Sequence, residues 1–296
     1  MEYFKIADIT VKVIWEDEDE RNKVYDLLGV NFHPAFLGAY ELSEREVDKV
    51  ECFDLEVTVR KTTDGVIPSQ CKVIEKQYYY KENNLFCLTM THGNQKPYFS
   101  IRVKDNFKHV DLIPHEPYRC VESMQLLASV FEQMLPLRNG LTIHGSGMEY
   151  QGKGIIFSGF SGSGKTTQAR LWRKYRDVII INGDSPIIRN TPSGSYIYGS
   201  PWCGTSGESI NRKVPLKAIV LVNQSRENHV EEITGDDAVL AVYTNILYFS
   251  QDEQDLDLLL PVLEKIVRNI KVYKLYCNME EDAVDTLEQY LREDRV

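Results

Sequence analysis

The residues best suited to chemistry form one short run, GFSGSGKTT, at positions 159–167. The pattern G-x-x-x-x-G-K-[ST] is matched there by Gly159, Gly164, Lys165 and Thr166. Glycines let a backbone approach a polyphosphate closely, a lysine neutralises phosphate charge, and a hydroxyl can ligate a phosphate-bound magnesium ion. An apolar run precedes the loop and a helical run follows it, and the amino terminus of a helix attracts anions. The sequence therefore predicts a site for nucleotide phosphates.

We expect the phosphates to contact the whole loop and the first helical turn. The expected nucleotide-binding residues are Gly159, Ser161, Gly162, Ser163, Gly164, Lys165, Thr166 and Thr167. Lys165 supplies charge for the terminal phosphates, and Thr166 is the expected magnesium ligand. The alternative is a flexible turn between a strand and a helix.

Asp184 is expected beside the phosphates on grounds of geometry. The helical run 166–175 carries the chain about 15 Å away from the loop, and the strand-like run VIIIN at 178–182 brings it back by about 16 Å. A carboxylate at that place can hold magnesium or accept the proton of an incoming hydroxyl, and phosphoryl transfer requires both roles. The alternative is that Asp184, in NGDS, only caps a turn.

Weaker signals surround these residues. His144 follows apolar residues in a strand-like run, where a histidine is often a hydrogen-bonded residue of the core. Trp202 and Cys203 lie in a Pro/Gly turn close to the predicted active edge and could line a pocket or pack under a loop. Arg212 and Lys213 are candidates to fold over the terminal phosphate, or belong to a solvated loop.

The elements that would position these residues fall into two regions. Residues 1–117 read as a β-rich domain, because two-residue alternation recurs in FKIADITVKVIW, LEVTVRK, CKVIEKQYYY, LFCLTMT, YFSIRVK and HVDLIP. One helical run, DEDERNKVYDLL, interrupts it. Residues 118–296 are predicted to form an α/β domain, because strands and helices alternate there. The strand-like runs include LTIHGSGM, GIIFSG, VIIIN, KAIVLV and VYKLYC, and the helical runs include GDDAVLAVYTNI, LDLLLPVLEKIVRNI and MEEDAVDTLEQYLRE. This domain opens with a helix whose apolar face comprises Val121, Met124, Leu127, Val130, Phe131 and Met134.

Composition narrows the class of protein. The 296 residues are 43% apolar, which is enough for a substantial core, and the formal charge of −10 offers no large basic surface for nucleic acid or an anionic membrane. No run approaches the ~18 apolar residues of a membrane span, so we expect a cytoplasmic protein. Six scattered cysteines are expected to be reduced and mostly buried: Cys52, Cys71, Cys87, Cys120, Cys203 and Cys277.

Residues 120–290 resemble the kinase domain of the HPr kinase-like proteins, whose fold is similar to that of phosphoenolpyruvate carboxykinase. Four segments carry the resemblance: IHGSGM at 143–148, the loop GFSGSGKTT, INGDS, and YGSPWCG followed by VPLKAIVLV. The resemblance implies an α/β P-loop kinase domain with a mixed sheet behind a β-rich N-terminal domain. It also implies ATP and magnesium as cofactors, with Thr166 and Asp184 on the metal. Asp184 would be the base toward a serine hydroxyl and His144 would lie near the transferred phosphate, so the implied catalytic residues are Asp184, His144 and Lys165.

The sequence also departs from HPr kinases proper. Those enzymes carry two adjacent aspartates where this chain has Gly183-Asp184, and their later glycine-, arginine- and glutamate-rich signature does not follow Gly207. A divergent branch is indicated, for which HPr itself is not the expected substrate. We expect a kinase that transfers the γ-phosphoryl group of ATP to a hydroxyl, and we favour a serine of a peptide or small protein as the acceptor. The alternatives are a nucleotide switch with slow ATP hydrolysis or a kinase of a free metabolite, and the sequence leaves nucleobase and oligomeric state open.

Overall fold

The computed structural model describes residues 1–22, 38–67, 69–74, 77–82, 85–92, 96–116, 123–248 and 253–293. The chain forms two compact units, Met1–Met134 and Leu135–Val296. The boundary between the units thus lies after the helix that was expected to open the second domain. The sequence analysis placed this boundary before the helix, between residues 117 and 118. The structure groups the helix with the first unit.

The first unit contains one eight-stranded sheet with the strand order β1-β2-β3-β8-β7-β6-β5-β4. Its strands are β1 Glu2–Ile6, β2 Ile9–Trp15, β3 Leu55–Val59, β4 Lys72–Ile74, β5 Gln77–Glu82, β6 Leu85–Thr91, β7 Pro97–Lys104 and β8 His109–Pro114. Alternate residues of the central strands, such as Val11 and Val13, are fully buried, as the two-residue period predicts. The run FKIADITVKVIW is a hairpin rather than one strand, because Ala7 and Asp8 take left-handed conformations between β1 and β2.

In the first unit, helix α1 spans Glu44–Val47 and helix α2 spans Ser123–Met134. Residues 18–22 are helical, while most of the run DEDERNKVYDLL lies outside the described residues. The expected apolar face of α2 is buried at Leu127, Val130, Phe131 and Met134. Val121 lies outside the described residues.

The second unit contains a nine-stranded mixed sheet flanked by helices. Its strands are β9 Gly140–Thr142, β10 Gly145–Tyr150, β11 Lys153–Ser158, β12 Val178–Asn182, β13 Ile187–Thr191, β14 Gly194–Tyr198, β15 Lys213–Gln224, β16 His229–Ile233 and β17 Lys271–Cys277. Its helices are α3 Lys165–Tyr175, α4 Gly235–Tyr243, α5 Glu253–Asn269 and α6 Glu281–Glu293. The expected α/β class with a mixed sheet is confirmed.

The core of the second unit occupies both faces of the sheet. On one face, Phe157 and Tyr273 pack with Trp172 of α3 and Leu287 of α6. On the other face, Ile156 belongs to a cluster with residues of α4 and α5. The side chains of adjacent β11 residues thus pack on opposite faces of the sheet, and both faces are buried. Buried strands such as GIIF are therefore continuous apolar runs in the sequence.

Two strand predictions in this unit were incomplete. Strand β16 was missed, because in HVEEI only Val230 is buried, while Ile233 is partly buried and the other three residues are polar. The run LTIHGSGM was expected to be one strand but is divided into β9 and β10, which pair with different neighbours. The break falls at Ile143 and His144, so His144 lies at a junction between strands and not within one.

The described cysteines are not joined in disulfides: Cys52, Cys71, Cys87, Cys203 and Cys277. Only Cys87 and Cys277 are buried, so the expectation of mostly buried thiols was wrong for the described part of the chain. Cys52 is exposed because it lies in the turn that precedes β3. Cys120 lies outside the described residues. Across the described residues, no helix is both long and apolar enough to span a membrane.

Candidate functional site

Several strands of the second unit end at one edge of its sheet. Strand β10 runs antiparallel to both β11 and β12, and β11 runs parallel to β15, which runs parallel to β17. The carboxyl ends of β11, β12, β15 and β17 therefore meet the amino end of β10. In open α/β sheets, ligands bind at the carboxyl edge of the strands. This edge carries the glycine-rich loop, His144 and Asp184.

The glycine-rich loop joins β11 to α3. Gly162 and Gly164 have φ values of +78° and +106°, and residues with a Cβ rarely adopt such conformations. Gly164 directly precedes the helix, and the first intrahelical bond runs from the amide of Gln168 to the Gly164 carbonyl, at 2.9 Å. The first amides of a helix have no intrahelical acceptor. The amides of Lys165, Thr166 and Thr167 are thus available at the loop.

Lys165 is a buried cation with neutral partners. The residue is 9% exposed, and its ammonium donates to the carbonyl oxygens of Gly159 and Phe160, at 2.9 Å each. Among the described residues it forms no ion pair. Burial lowers the pKa of Lys165, and the charge of Asp184 partly offsets this effect. A buried cation without a counter-ion is costly, so the site is suited to an anion.

The other polar groups of the loop are donors, as a phosphate group requires. Ser163 has a buried hydroxyl that finds no hydrogen-bond partner within the described chain. Ser161 and Gly162 are exposed, and Thr166 and Thr167 lie half-buried in the first turn of α3. That turn contains no acidic residue. Hydroxyls, amides and one ammonium group form a donor set that fits the oxygens of a polyphosphate.

His144 and Asp184 lie together beside the loop. Nδ1 of His144 is 3.6 Å from Oδ1 of Asp184, and each side chain is about one-third exposed, at 36% and 37%. Burial and the nearby Lys165 charge lower the pKa of His144, while Asp184 opposes this shift. Since the pKa falls below its usual value of about 6.5, the imidazole is mainly neutral at pH 7. The structure thus brings together the three residues expected to be catalytic.

Three hydrogen bonds to backbone groups hold the junction at His144. The His144 amide donates to the Asn245 carbonyl at 2.8 Å, and the Ser158 hydroxyl donates to the His144 carbonyl at 2.7 Å. The Gly145 amide donates to the Asp184 carbonyl at 2.8 Å. These bonds link the start of β10 to the end of β11 and to the segment after β12. The histidine and the aspartate are therefore positioned by the same part of the sheet.

Asn182, a positioning residue that the sequence did not reveal, is fully buried at the end of β12. Its Oδ1 accepts from the amides of Asp184, at 2.9 Å, and Ser185, at 2.7 Å. Its Nδ2 donates to the carbonyl oxygens of Ser200 and Trp202, at 2.9 and 3.1 Å. An asparagine in NGDS is typical of an ordinary turn. The positioning role of Asn182 becomes visible only in the tertiary structure, where residues 200–202 approach its side chain.

The segment 200–206 packs closely against Asp184. Gly204 has a φ of +55°, and a Cβ at this position would lie 2.8 Å from Cγ of Asp184. A Cβ on Gly183 would lie 2.1 Å from Oγ of Ser206. Burial and the charge of Asp184 raise the pKa of the Cys203 thiol, which disfavours the reactive thiolate. Cys203 and Trp202 thus lie beside the site, as their sequence position suggested.

Arg212 and Lys213 lie at the opposite end of the sheet. Arg212 forms an ion pair with Glu149, to which Nη2 donates at 2.9 Å, and Glu149 lies near the hairpin end of β10. The ammonium of Lys213 lies 4.8 Å from the centre of the Tyr196 ring. The suggestion that they fold over the terminal phosphate was wrong for this conformation, because β15 begins at the edge remote from the loop.

The described residues contain no cluster of three or more His, Cys, Asp or Glu side chains able to hold a metal ion. Magnesium bound to a nucleotide commonly takes only one or two protein ligands and completes its shell with phosphate oxygens and water. Thr166 and Asp184 supply oxygen atoms of the kind that magnesium prefers. The residues present therefore fit a magnesium ion that enters with a nucleotide.

A protein-family model described as SynChlorMet cassette protein ScmC matches residues 112–292. The matched part includes the glycine-rich loop, His144 and Asp184. No curated protein matches the chain.

Proposed function

We propose that this chain, which belongs to the ScmC family of SynChlorMet cassette proteins, is an ATP- and magnesium-dependent kinase. It transfers the γ-phosphoryl group to a hydroxyl, and we favour a serine of a peptide or small protein as the acceptor. We further propose that residues 118–296 adopt the P-loop fold of the HPr kinase and phosphoenolpyruvate carboxykinase type. The family description names no chemistry, so the proposal depends on the residues of the site.

One observation carries the proposal. A buried Lys165, which has no counter-ion among the described residues, lies in a donor-rich loop, and the His144–Asp184 pair lies beside it at the same sheet edge. Phosphoryl transfer needs groups that bind phosphates and a group that receives the proton of the nucleophile. A loop that only bound a nucleotide would need the first set alone. The carboxylate next to the phosphate loop therefore favours a transferase.

The roles of the residues follow from their positions. The loop amides and Lys165 bind the phosphates, and Thr166 with Asp184 would hold magnesium. When bound, magnesium neutralises charge that develops on the phosphate oxygens. Asp184 accepts the proton of the acceptor hydroxyl, whose oxygen bonds to the γ-phosphorus as the bond to ADP breaks.

His144 supports Asp184 in this scheme. As a neutral imidazole it can donate one hydrogen bond, either to the Asp184 carboxylate or to the transferred phosphoryl group. It does not add a second positive charge beside Lys165. The side chain therefore orients the site without competing for the proton that Asp184 accepts.

The test separates binding from chemistry by replacing Asp184. Incubation of the parent protein with γ-labelled ATP and a lysate or peptide library should label one or a few small acceptors. Asp184→Asn should bind ATP within about tenfold of the parent, while acceptor labelling falls at least about a hundredfold, since a positioned base contributes about 10²–10⁴-fold. Asp177→Asn is the matched control, because Asp177 is exposed at the opposite end of β12, and it should behave like the parent.

Two results would contradict the proposal. Transfer by Asp184→Asn at close to the parental rate would make Asp184 a turn cap. Release of labelled inorganic phosphate alone, with no labelled acceptor, would favour the nucleotide switch.

A further inference from the structure

A cavity of about 500 Å³ opens at the carboxyl edge of the sheet, next to the glycine-rich loop. It is lined by Gly162–Gly164, by Thr167 and Gln168 of α3, and by the segments 224–226 and 277–280. Those two segments begin at the last residues of β15 and β17. Neither His144 nor Asp184 lines this cavity. Its size falls within the range of about 300–1,000 Å³ that is usual for sites of small molecules.

The strand order places this cavity on the other side of the loop from the His144–Asp184 pair. The order across the sheet is β12-β10-β11-β15, and β17 pairs with the far side of β15. Asp184 follows β12, the loop follows β11, and the cavity lies at the ends of β15 and β17. Neighbouring strands are about 4.8 Å apart, so the loop separates two regions that a single small ligand could reach only by lying across it.

We propose that the cavity binds the nucleoside of the nucleotide, an inference that rests on the kinase function proposed above. The phosphate that is transferred must lie near Asp184, so the triphosphate lies along the loop with its γ end on that side. Its α end then lies near Gly162 and Thr167, which border the cavity. The ribose and base leave the loop at that end.

The cavity wall includes the buried side-chain amide of Gln168, whose oxygen is an unpaired hydrogen-bond acceptor in the described part of the chain. Gln168 is 2% exposed, and its Nε2 donates to the Asn278 carbonyl at 3.0 Å, which fixes the orientation of the amide. Its Oε1 has no hydrogen-bond partner in the described part of the chain. An unpaired buried acceptor costs about 1–3 kcal/mol. Amino and hydroxyl groups of a nucleoside are donors that could relieve this cost.

Two exposed side chains of the rim suit a flat aromatic base. Met279 is 71% exposed, although methionine thioethers pack favourably against aromatic rings. Arg226 is exposed and has no ion-pair partner among the residues described, and guanidinium groups stack on ring planes. A base in the cavity would cover apolar surface of Met279 that is now in contact with water. The exposed carboxylate of Glu280 can accept hydrogen bonds from ribose hydroxyls.

The position of the cavity also excludes it as the acceptor site. An acceptor hydroxyl must approach both the γ-phosphorus and Asp184, and Asp184 lies beyond the loop. The acceptor therefore enters from the side of Asp184 and the segment 200–206. The nucleoside and the acceptor therefore occupy opposite sides of the loop, with the triphosphate between them, as an in-line transfer requires.

The location of the base can be tested with 8-azido-ATP on the full-length protein. Illumination should attach the label to peptides that contain residues 224–226 or 277–280, and excess ATP should prevent this labelling. Labelling confined to other peptides would overturn the cavity as the nucleoside site while leaving the kinase proposal intact. A failure of ATP to bind at all would overturn both proposals.

A variant pair tests the energetic contribution of the rim. Met279→Ala should weaken ATP binding about three- to tenfold, the range expected for loss of a sulfur–aromatic contact, and should leave the affinity for inorganic tripolyphosphate unchanged. Leu240→Ala is the control, because Leu240 is a similarly exposed residue of α4, at 63%, outside the cavity. Unchanged ATP affinity in Met279→Ala, or an equal loss for tripolyphosphate, would contradict the proposed position of the base.

Discussion

At the residue scale, the charge of Lys165 is the feature that most directly indicates an anion-binding site. Its ammonium has two carbonyl partners and no carboxylate partner in the described chain. A structural lysine with a 9% exposed surface would ordinarily carry a counter-ion. The carbonyl partners hold the side chain in the loop, where a phosphate group can replace them.

The first prediction concerns this charge. Lys165→Ala should weaken magnesium–ATP binding about 10- to 100-fold, because a charge-assisted hydrogen bond contributes about 1.5–3 kcal/mol. The thermal unfolding midpoint should change little, since the partner carbonyls belong to an accessible loop. Calorimetric titration measures the affinity. Lys174→Ala, at the exposed far end of α3, is the control, and an equal affinity in the two variants would remove Lys165 from the site.

A second prediction concerns the approach of Gly204 to Asp184. In Gly204→Ala the new Cβ would lie 2.8 Å from the Asp184 carboxyl carbon and would displace it. Acceptor phosphorylation should fall about tenfold or more, because small displacements of catalytic groups are costly, while ATP affinity is retained.

Gly207→Ala is the matched control for this variant. Gly207 has a similar φ of +65°, against +55° for Gly204, but a Cβ added at Gly207 would have no atom within 4 Å. Both variants therefore carry the same backbone strain, and only Gly204→Ala contacts Asp184. Equal rates of transfer in single-turnover assays would show that the contact does not matter.

At the element scale, one buried carboxylate links three elements of the second unit. Glu288 of α6 accepts hydrogen bonds from Tyr150 of β10 and from Arg176, which follows α3, with Arg176 Nε at 3.0 Å. Arg292 donates at 2.6 Å from the next turn of α6. Burial raises the pKa of Glu288, but these hydrogen bonds outweigh it and hold the pKa below its usual value. The network fixes α6 and α3 on the same face of the sheet.

The third prediction is that Glu288→Ala lowers the free energy of unfolding by about 1–3 kcal/mol, because the Tyr150 hydroxyl and the Arg176 guanidinium lose a buried charged acceptor. Since the folded-state pKa of Glu288 is lowered, its contribution is complete above the unfolded value of about 4.3 and is lost as the pH falls through the folded value. Denaturant titrations at pH 7 and below pH 4 measure this.

Glu264→Ala is the control for the stability measurement. Glu264 pairs with Arg268 at 3.1 Å on the exposed face of α5, and such pairs contribute about 0.3–0.5 kcal/mol. The difference between the two variants should be large at neutral pH and should shrink in acid. A small effect of Glu288→Ala at pH 7 would mean that the network adds little to stability.

At the scale of the whole molecule, all the residues assigned to the site belong to the second unit. That unit has its own core on both faces of its sheet, as an independently folding domain requires. Helix α2 belongs to the first unit by its contacts. We therefore expect the apolar face of α2 to become exposed in a fragment that retained the helix without that unit.

The fourth prediction compares two fragments. Residues 135–296 should fold, remain monodisperse and retain the ATP affinity of the full chain. Residues 118–296 should aggregate more readily, because the fragment exposes Leu127, Phe131 and Met134 of α2. Size-exclusion chromatography and calorimetry provide the measurements. The reverse behaviour of the two fragments would place α2 with the second unit and the boundary before it.

The amino-acid sequence by itself determined the loop and most of the elements around it. The run GFSGSGKTT predicts a phosphate-binding loop, because the glycine spacing, the lysine and the hydroxyl residues that such a loop requires are all local in sequence. Periods of two and of 3.6 residues identified most strands and helices of the second unit, because each of those elements faces a buried core. The position of Asp184 beside the loop followed from the length of one helix and one strand.

Only the tertiary structure decided what depends on contacts between distant segments. Asn182 positions Asp184 because residues 200–202 approach it, and no local pattern encodes that approach. The strand break at His144 arises because β9 and β10 pair with different neighbours. The cavity beside the loop is formed by the ends of β15 and β17, whose adjacency is a property of strand order. Local sequence determines the conformation of a segment, whereas strand pairing determines which segments meet.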